Sequence, residues 1–251
     1  MRFLELLWFS AYAELKAESA RSYLGLVWWL LEPAMFMAVF YVVFGLIMGS
    51  GDPQYIPFLL IGLTFWQWFK SCVSHGAYAI WLNIPMLRQV RLPILLFPLA
   101  AVASDTVKFA FVFLVLLVIL WTMGYGPWWG YAALPLVFAA LLMLASASAL
   151  IAAAVVPFVP DLRFVIENAL MALMFVSGVV FSPDGLAEPY RGWVALNPVV
   201  GIIAAARNIL MHGRWPDWSL LLQAGIGSAL VLLLASVLIL RLAPRYPKLA
   251  M

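Results

Sequence analysis

Polar residues in this chain form short islands between long apolar runs, and the spacing of those islands predicts its elements. In residues 2–21, Leu4, Leu7, Trp8, Ala11 and Leu15 recur at helical spacing, while Arg2, Glu5, Glu14, Lys16, Glu18 and Arg21 take other positions. That is the pattern of an amphipathic helix lying in a membrane interface. Six longer apolar runs follow, about 25–48, 56–80, 94–123, 129–156, 164–182 and 218–240. Each is long enough to cross an apolar core of about 30 Å at about 1.5 Å per residue. Gly49-Ser50-Gly51-Asp52-Pro53, Pro157 and Pro160-Asp161 punctuate the runs as turns.

Two connections are more than loops. Residues 81–93 hold a short helix-sized piece bracketed by Pro85 and Pro93. Residues 183–217 carry Pro183-Asp184-Gly185, Glu188-Pro189, Asn197-Pro198 and Trp215-Pro216-Asp217, with two apolar pieces, about 186–195 and 198–211, between them. These pieces are too short to cross and read as re-entrant or interfacial helices. The expected fold is therefore an all-α integral membrane protein of one permease domain, 1–251. Residues 1–24 form the interface helix, 25–182 spans one to five, 183–217 the re-entrant element, 218–240 span six and 241–251 a tail.

Glu32 and Pro33 interrupt the first span. A helix starting at Pro33 would leave only 16 residues to position 48, about 24 Å, which is too short. The span must begin near Gly25, with Trp28 and Trp29 in its first turns. Glu32 then sits roughly 10 Å deep, facing protein, a wet lumen or a basic partner, and Pro33 kinks or loosens the turn.

Composition excludes a soluble domain: 67% of the 251 residues are hydrophobic, 10% are charged and the mean hydropathy is +1.06. The single cysteine, Cys72, rules out an intramolecular disulfide and a thiolate cluster. Ala11-Tyr12-Ala13 resembles a leader cleavage site, but Glu5 breaks the preceding apolar run, so no removed leader is expected. The net charge of +3 matters through its placement. Arg2, Lys16, Arg21, Arg88, Arg91, Arg163, Arg241, Arg245 and Lys248 fall on one side of the six-span topology and Arg191, Arg207 and Arg214 on the other. Nine against three places both termini in the cytoplasm and the 183–217 element outside.

The chain offers no constellation for catalysis. His75 and His212 lie on separate segments, no H-E-x-x-H motif occurs, and Asp105 and Lys108 read as an i, i+3 structural pair. Nor is there a G-x-x-x-x-G-K-[ST] phosphate loop, so the chain is not expected to bind ATP by that route, and the short piece at 84–92 could dock a separate ATPase. Lys70, mid-way along the second span, is the one ionisable group placed as an ion-coupled carrier would need it. Aromatic residues make up 15% of the chain. Trp28, Trp29, Trp128, Trp129, Trp215 and Trp218 fit interfacial belts, whereas Phe65-Trp66-Gln67-Trp68-Phe69 lies deep in a span and would suit a lumen over which sugar rings slide.

The order of short motifs carries a resemblance. These are S-x-L-G-x-x-W at Ser22–Trp28, Glu32-Pro33, F-L-L-x-G-L-x-x-W at Phe58–Trp66 and N-x-P-x-L-x-x-V-R-L-P at Asn83–Pro93. S-G-V-V-F-S-P at Ser177–Pro183, Leu196-Asn197-Pro198 and Arg207-Asn208 complete the series. Over nearly its whole length the chain resembles the six-span permease subunit of type-2 ATP-binding-cassette exporters of lipid-linked polysaccharides: O-antigen, capsule and teichoic acid. The resemblance implies a homodimer in the bacterial inner membrane, joined by two copies of a nucleotide-binding ATPase that hold ATP and Mg, with no cofactor or metal in this chain and no nucleic-acid partner. It implies an entrance gate at Arg21, Ser22, Tyr23, Leu24, Gly25, Trp28 and Glu32. Channel-lining aromatics would be Tyr41, Phe44, Phe65, Trp66 and Trp68. The ATPase coupling helix would comprise Asn83, Ile84, Pro85, Met86, Leu87, Arg88 and Arg91. The Arg-Leu-Pro and Asn-Pro to Arg-Asn regions are similar to the O-antigen branch, which implies export of an O-antigen on a polyprenyl pyrophosphate. An exporter of drugs or small lipids, an ion-coupled carrier and a membrane-embedded glycolipid enzyme are the alternatives.

Overall fold

The computed structural model describes residues 3–21, 27–40, 42–43, 54–90, 92–182, 185, 187 and 189–249. The described chain is helical throughout, without a strand among those residues. Its elements are α1 (Phe3–Arg21), α2 (Val27–Phe40), α3 (Tyr55–Leu82), α4 (Ile84–Gln89), α5 (Leu96–Thr122), α6 (Leu134–Val155), α7 (Leu162–Val176), α8 (Tyr190–Ala195), α9 (Pro198–Leu210) and α10 (Trp218–Leu242). A 3-10 turn, Trp129–Ala133, leads directly into α6, and another, Tyr246–Lys248, follows α10.

Four of these are long and apolar enough to cross a membrane: Tyr55–Leu82, Leu96–Thr122, Trp129–Val155 and Trp218–Leu242. They match the expected second, third, fourth and sixth spans. The expected fifth span, 164–182, is shorter than its apolar run. α7 stops at Val176 after 15 residues, about 22 Å of helix, because Gly178 turns the chain with φ of +66°. Of the expected first span, 14 residues form α2, with Glu32 and Pro33 inside the helix. The short pieces expected between the last two spans are α8 and α9, of 6 and 13 residues.

α6 is the hub, packing on α3 and α10, while α3 also packs along α5. The α3–α6 seam is made of small residues. Ala145, Ala149 and Ala153 are fully buried, and a Cβ added at Gly76 would stand 2.6 Å from the Ala149 Cβ. In a bilayer, where apolar faces gain nothing by leaving lipid, such close approach supplies the packing that joins helices. α10 instead turns Leu222, Ile226, Leu230, Leu233 and Leu234 outward, exposed.

α1 differs from a helix lying flat. It packs along α5, and of its expected apolar set only Ala11 is buried, while Leu4 and Trp8 are exposed. Glu18, near its C-terminal end, pairs with Lys108, twelve residues beyond the start of α5, or roughly 18 Å along that helix. α1 therefore rises beside α5, with Leu7, Ala11 and Leu15 along its more buried side and the Glu18–Lys108 pair near its end.

At one end of the bundle the segment after α10 folds back. Tyr246 is fully buried and its hydroxyl donates to the Ala154 carbonyl at 3.2 Å. Arg88 of α4 donates from Nε to the Pro247 carbonyl at 3.1 Å and from Nη2 to the Leu249 carbonyl.

Gly76→Ala is expected to lower the melting temperature of the purified protein by several degrees, the overpacking cost of about 1–3 kcal/mol. Ala149→Gly in the same chain should restore it. Thermal unfolding of the three proteins measures this, and an unchanged single variant would refute the close seam.

Candidate functional site

The face of α3 that its neighbours leave uncovered is polar. Along 28 residues, Gln67, Lys70, Ser71, Ser74, His75 and Tyr78 are the half-buried or exposed positions between Phe65 and Ala79. They recur every three or four residues, so they form one stripe. Ser74 donates to Glu167 of α7. His75 Nδ1 lies 3.0 and 2.8 Å from the two carboxylate oxygens of Asp105 on α5. Asp105 is 3% exposed and also accepts from Lys108 Nζ at 3.1 Å, which in turn meets Glu18 of α1. A buried carboxylate is tolerated when it is paired in this way.

Two hollows flank this network. One, of about 280 Å³, is lined by Gln67, Ser71, His75, Trp28, Trp68 and Lys108 among others. The second, of about 670 Å³, shares Glu18, His75, Asp105 and Lys108 with the first and extends to Glu14, Tyr78, Asn83 and Ser104. Among the described residues, no three His, Cys, Asp or Glu side chains are placed to share a metal ion.

At the opposite end of α3, Arg207 of α9 is 4% exposed. It donates from Nε to the Phe58 carbonyl at 3.1 Å, from Nη1 to Gly178 at 2.6 Å and from Nη2 to Val179 at 2.8 Å. Its guanidinium also lies 3.3 Å from the centroid of the Phe58 ring. A Cβ at Gly62 would meet Arg207 Nη2 at 2.3 Å, so only glycine leaves room for the guanidinium. Asn197 caps α9 by accepting from the Val199 amide at 3.0 Å, and donates to Ser177 Oγ at 2.9 Å. Motifs spread over 150 residues of sequence thus meet at one point. Nearby, Trp128 donates to the Ile209 carbonyl at 2.7 Å and packs edge-on against Trp215.

The expected site residues divide sharply. Phe65, Trp66 and Trp68 are 0, 1 and 4% exposed and pack in the chain's own core, with Trp68 also bordering the smaller hollow. Phe65 packs edge-on against Phe109 and Phe113, Trp68 stacks on Phe109 at 3.9 Å, and Trp66 leans on Phe69. Aromatic side chains fill four of the five positions 65–69, Phe65 and Trp68 meeting α5 and α6, and the polar stripe is the open side. Tyr41 and Phe44 lie outside the described residues.

Of the expected gate, Ser22, Tyr23, Leu24 and Gly25 lie outside the described residues, as do the side chains of Arg21 and Glu32. Trp28, in the first turn of α2, is exposed and borders the smaller hollow. In the expected coupling segment, Asn83 Nδ2 donates to the Ala79 carbonyl at 2.8 Å, Pro85 stands in the first turn of α4 and Ile84 is buried. Leu87 packs inward, Met86 is exposed, Arg88 holds the tail, and Arg91 lies outside the described residues. The pairing of Asp105 with Lys108 follows from their spacing, but its third and fourth members, His75 and Glu18, come from other helices. The signal that could have found them is the polar period of α3.

Glu14 of α1 is titratable in the ordinary pH range. Glu14 is exposed at the surface of α1, but protein gathered round its carboxyl, then repulsion from Asp105, push its pKa from 4.5 up to about 7, against the pull of His75 and Lys108 and with a further push from Glu18. A carboxyl whose pKa is raised by docking favours the docked state while protonated and loses that support as pH rises through the docked value. Amide hydrogen exchange of α1, corrected for intrinsic rate, should therefore show more protection at pH 6 than at pH 8. Glu14→Gln should abolish the difference; a persisting difference would refute the assignment. At the other end, Arg207→Met strands three carbonyls and should cost about 3–5 kcal/mol, read as a loss of thermal stability. Arg207→Lys should not restore it, because one ammonium cannot reproduce the planar fork.

Comparison with known proteins agrees with this architecture. Residues 5–211 match the ABC-2 type transporter family. The chain is 30% identical over 227 residues to an O-antigen export system permease protein RfbA of Myxococcus xanthus, covering 89% of this chain and 86% of that one. It is 26% identical over 204 residues to an RfbA of Klebsiella pneumoniae, covering 80% and 78% of the two chains. To the polysialic acid transport protein KpsM of Escherichia coli it is 25% identical over 203 residues, covering 80% and 79%. With four helices able to cross a membrane and a family match over most of its length, this chain belongs to the ABC-2 type transporter family, as a multi-pass membrane permease subunit.

Proposed function

We propose that this chain forms the channel of a polysaccharide exporter that moves an O-antigen, carried on a polyprenyl pyrophosphate, outward across the inner membrane. The observation that carries the reading is the 30% identity to an O-antigen permease over 89% of the chain. The polar stripe of α3 supports a hydrophilic cargo, since ionisable and amide side chains inside a span are costly unless they face protein or water. A permease of this family implies an ATPase subunit as its partner.

The finer reading takes two copies of this chain with two ATPase subunits, six spans per copy and both termini in the cytoplasm. α2 with the residues that follow it would complete the first span. α7 with residues 177–182 would supply the fifth, and α8 and α9 would form an outward re-entrant pair. Positive charge at Arg21 would attract the pyrophosphate beside Gly25, where a glycine permits close approach. α4, with Met86 exposed at its surface, would dock in the ATPase and pass on its movement.

Deletion of the gene should remove long-chain surface polysaccharide and leave its lipid-linked precursor accumulating inside. Complementation should need both this chain and an active partner ATPase. Gel analysis of cell-surface polysaccharide measures the outcome. An unchanged surface ladder would overturn the reading, and loss of a polysialic acid capsule instead would shift it to the KpsM-like cargo.

A further inference from the structure

We infer that the 280 Å³ hollow beside α3 is a subsite for one sugar ring of the cargo, read by Gln67, Ser71 and His75. The inference rests on the export reading above and names what that reading does not, the place where the permease inspects the glycan rather than its lipid or phosphate.

Charge decides against phosphate. Lys108 is engaged by both Asp105 and Glu18, and the charges in the wall come to two carboxylates against one ammonium and a histidine. Such a wall has no surplus of positive charge with which to hold an anion. What it does offer is a balanced set of donors and acceptors. An amide and a hydroxyl each donate and accept. His75 spends Nδ1 on Asp105, which leaves Nε2 as the ring atom for a ligand. Those are the partners of a neutral ring bearing several hydroxyls.

The aromatic side fits the same ligand. The Trp68 ring lines the hollow while Phe109 backs it at 3.9 Å, so it is fixed in place, and Trp28 stands at the border on α2. Trp68, 4% exposed, shows the hollow only a margin of its ring, and Trp28 is exposed; apolar aromatic surface next to hydrogen-bonding groups suits a sugar, whose C–H faces and hydroxyl edges alternate. The volume, about 280 Å³, is at the small end of ligand sites, which run from about 300 Å³ upward. It accommodates one ring, not a chain.

Position gives the subsite a consequence. Its walls come from α1, α2, α3 and α5, and the Glu18–Lys108–Asp105–His75 network crosses three of them. A ring bonded to His75 would therefore be felt at α1.

The test uses the complex of this chain with its ATPase in lipid nanodiscs. Probes are bare polyprenyl diphosphate and the same lipid carrying one glucose, galactose or N-acetylglucosamine. At least one glycosylated probe should bind about tenfold more tightly than the bare lipid. In Gln67→Leu/Ser71→Ala that preference should vanish, with affinity for the bare lipid and assembly with the ATPase kept. His75→Leu is a second variant with the same expected outcome. Preference retained in a variant that assembles overturns the inference, as does equal binding of all probes to the wild-type complex. In either case the export reading stands if export itself is intact. Failure of the wild-type complex to bind any probe would overturn both.

Discussion

A guanidinium buried in a protein has to find hydrogen-bond acceptors for its nitrogens or lose more than packing returns. Arg207 finds one for each of its three nitrogens in backbone, the carbonyls of Phe58, Gly178 and Val179. Backbone acceptors cannot be moved by a rotamer change, so the arginine fixes the relative position of three chain segments: the start of α3, the turn after α7 and α9 itself. Gly62 is bare because Arg207 occupies its side-chain volume. α7 ends where it does because Gly178 and Val179 turn their carbonyls toward the arginine instead of continuing a helical ladder. Much of one end of the bundle is arranged around that single cation.

The other end works on a different rule. There the ionisable groups pair with one another, Glu18 with Lys108, Lys108 with Asp105, Asp105 with His75. Side-chain pairs across three helices can exchange partners when one of them titrates or a ligand intervenes. The two ends thus carry two kinds of joint, one that holds its geometry and one that can change it. The polar stripe of α3 connects them, beginning one turn below the Arg207 contacts and ending at the network.

Most of the helical plan is legible in the sequence, because a span is a property of one continuous run: α3, α5, α6 and α10 lie within a few residues of their apolar segments. The 13 residues of α9 are also legible from Asn197-Pro198 at its start, a capping side chain followed by a proline in the first turn. The length of α7 is not, since its termination is tied to an arginine some 30 residues away in sequence. The surroundings of the aromatic residues are not legible for a related reason. Aromatic residues at Phe65, Trp66 and Trp68 invite attention as a group, but whether they face a lumen depends on where α5 and α6 lie, which no local pattern encodes. The polar residues between them carried the better signal, because hydrophilic groups recurring at helical spacing inside a span have few places to point.

The fold-back after α10 has a mechanical consequence. Arg88 grips the carbonyls of Pro247 and Leu249, and Tyr246 is bolted to Ala154, so α4 is not a free arm hanging from α3. A push delivered to α4 would be shared with the ends of α6 and α10, two helices that also pack on each other along much of their length. Such a force would meet a broad footing. It would bear on the α6–α10 pair as a unit, and through the Gly76–Ala149 seam on α3, rather than on one connecting loop.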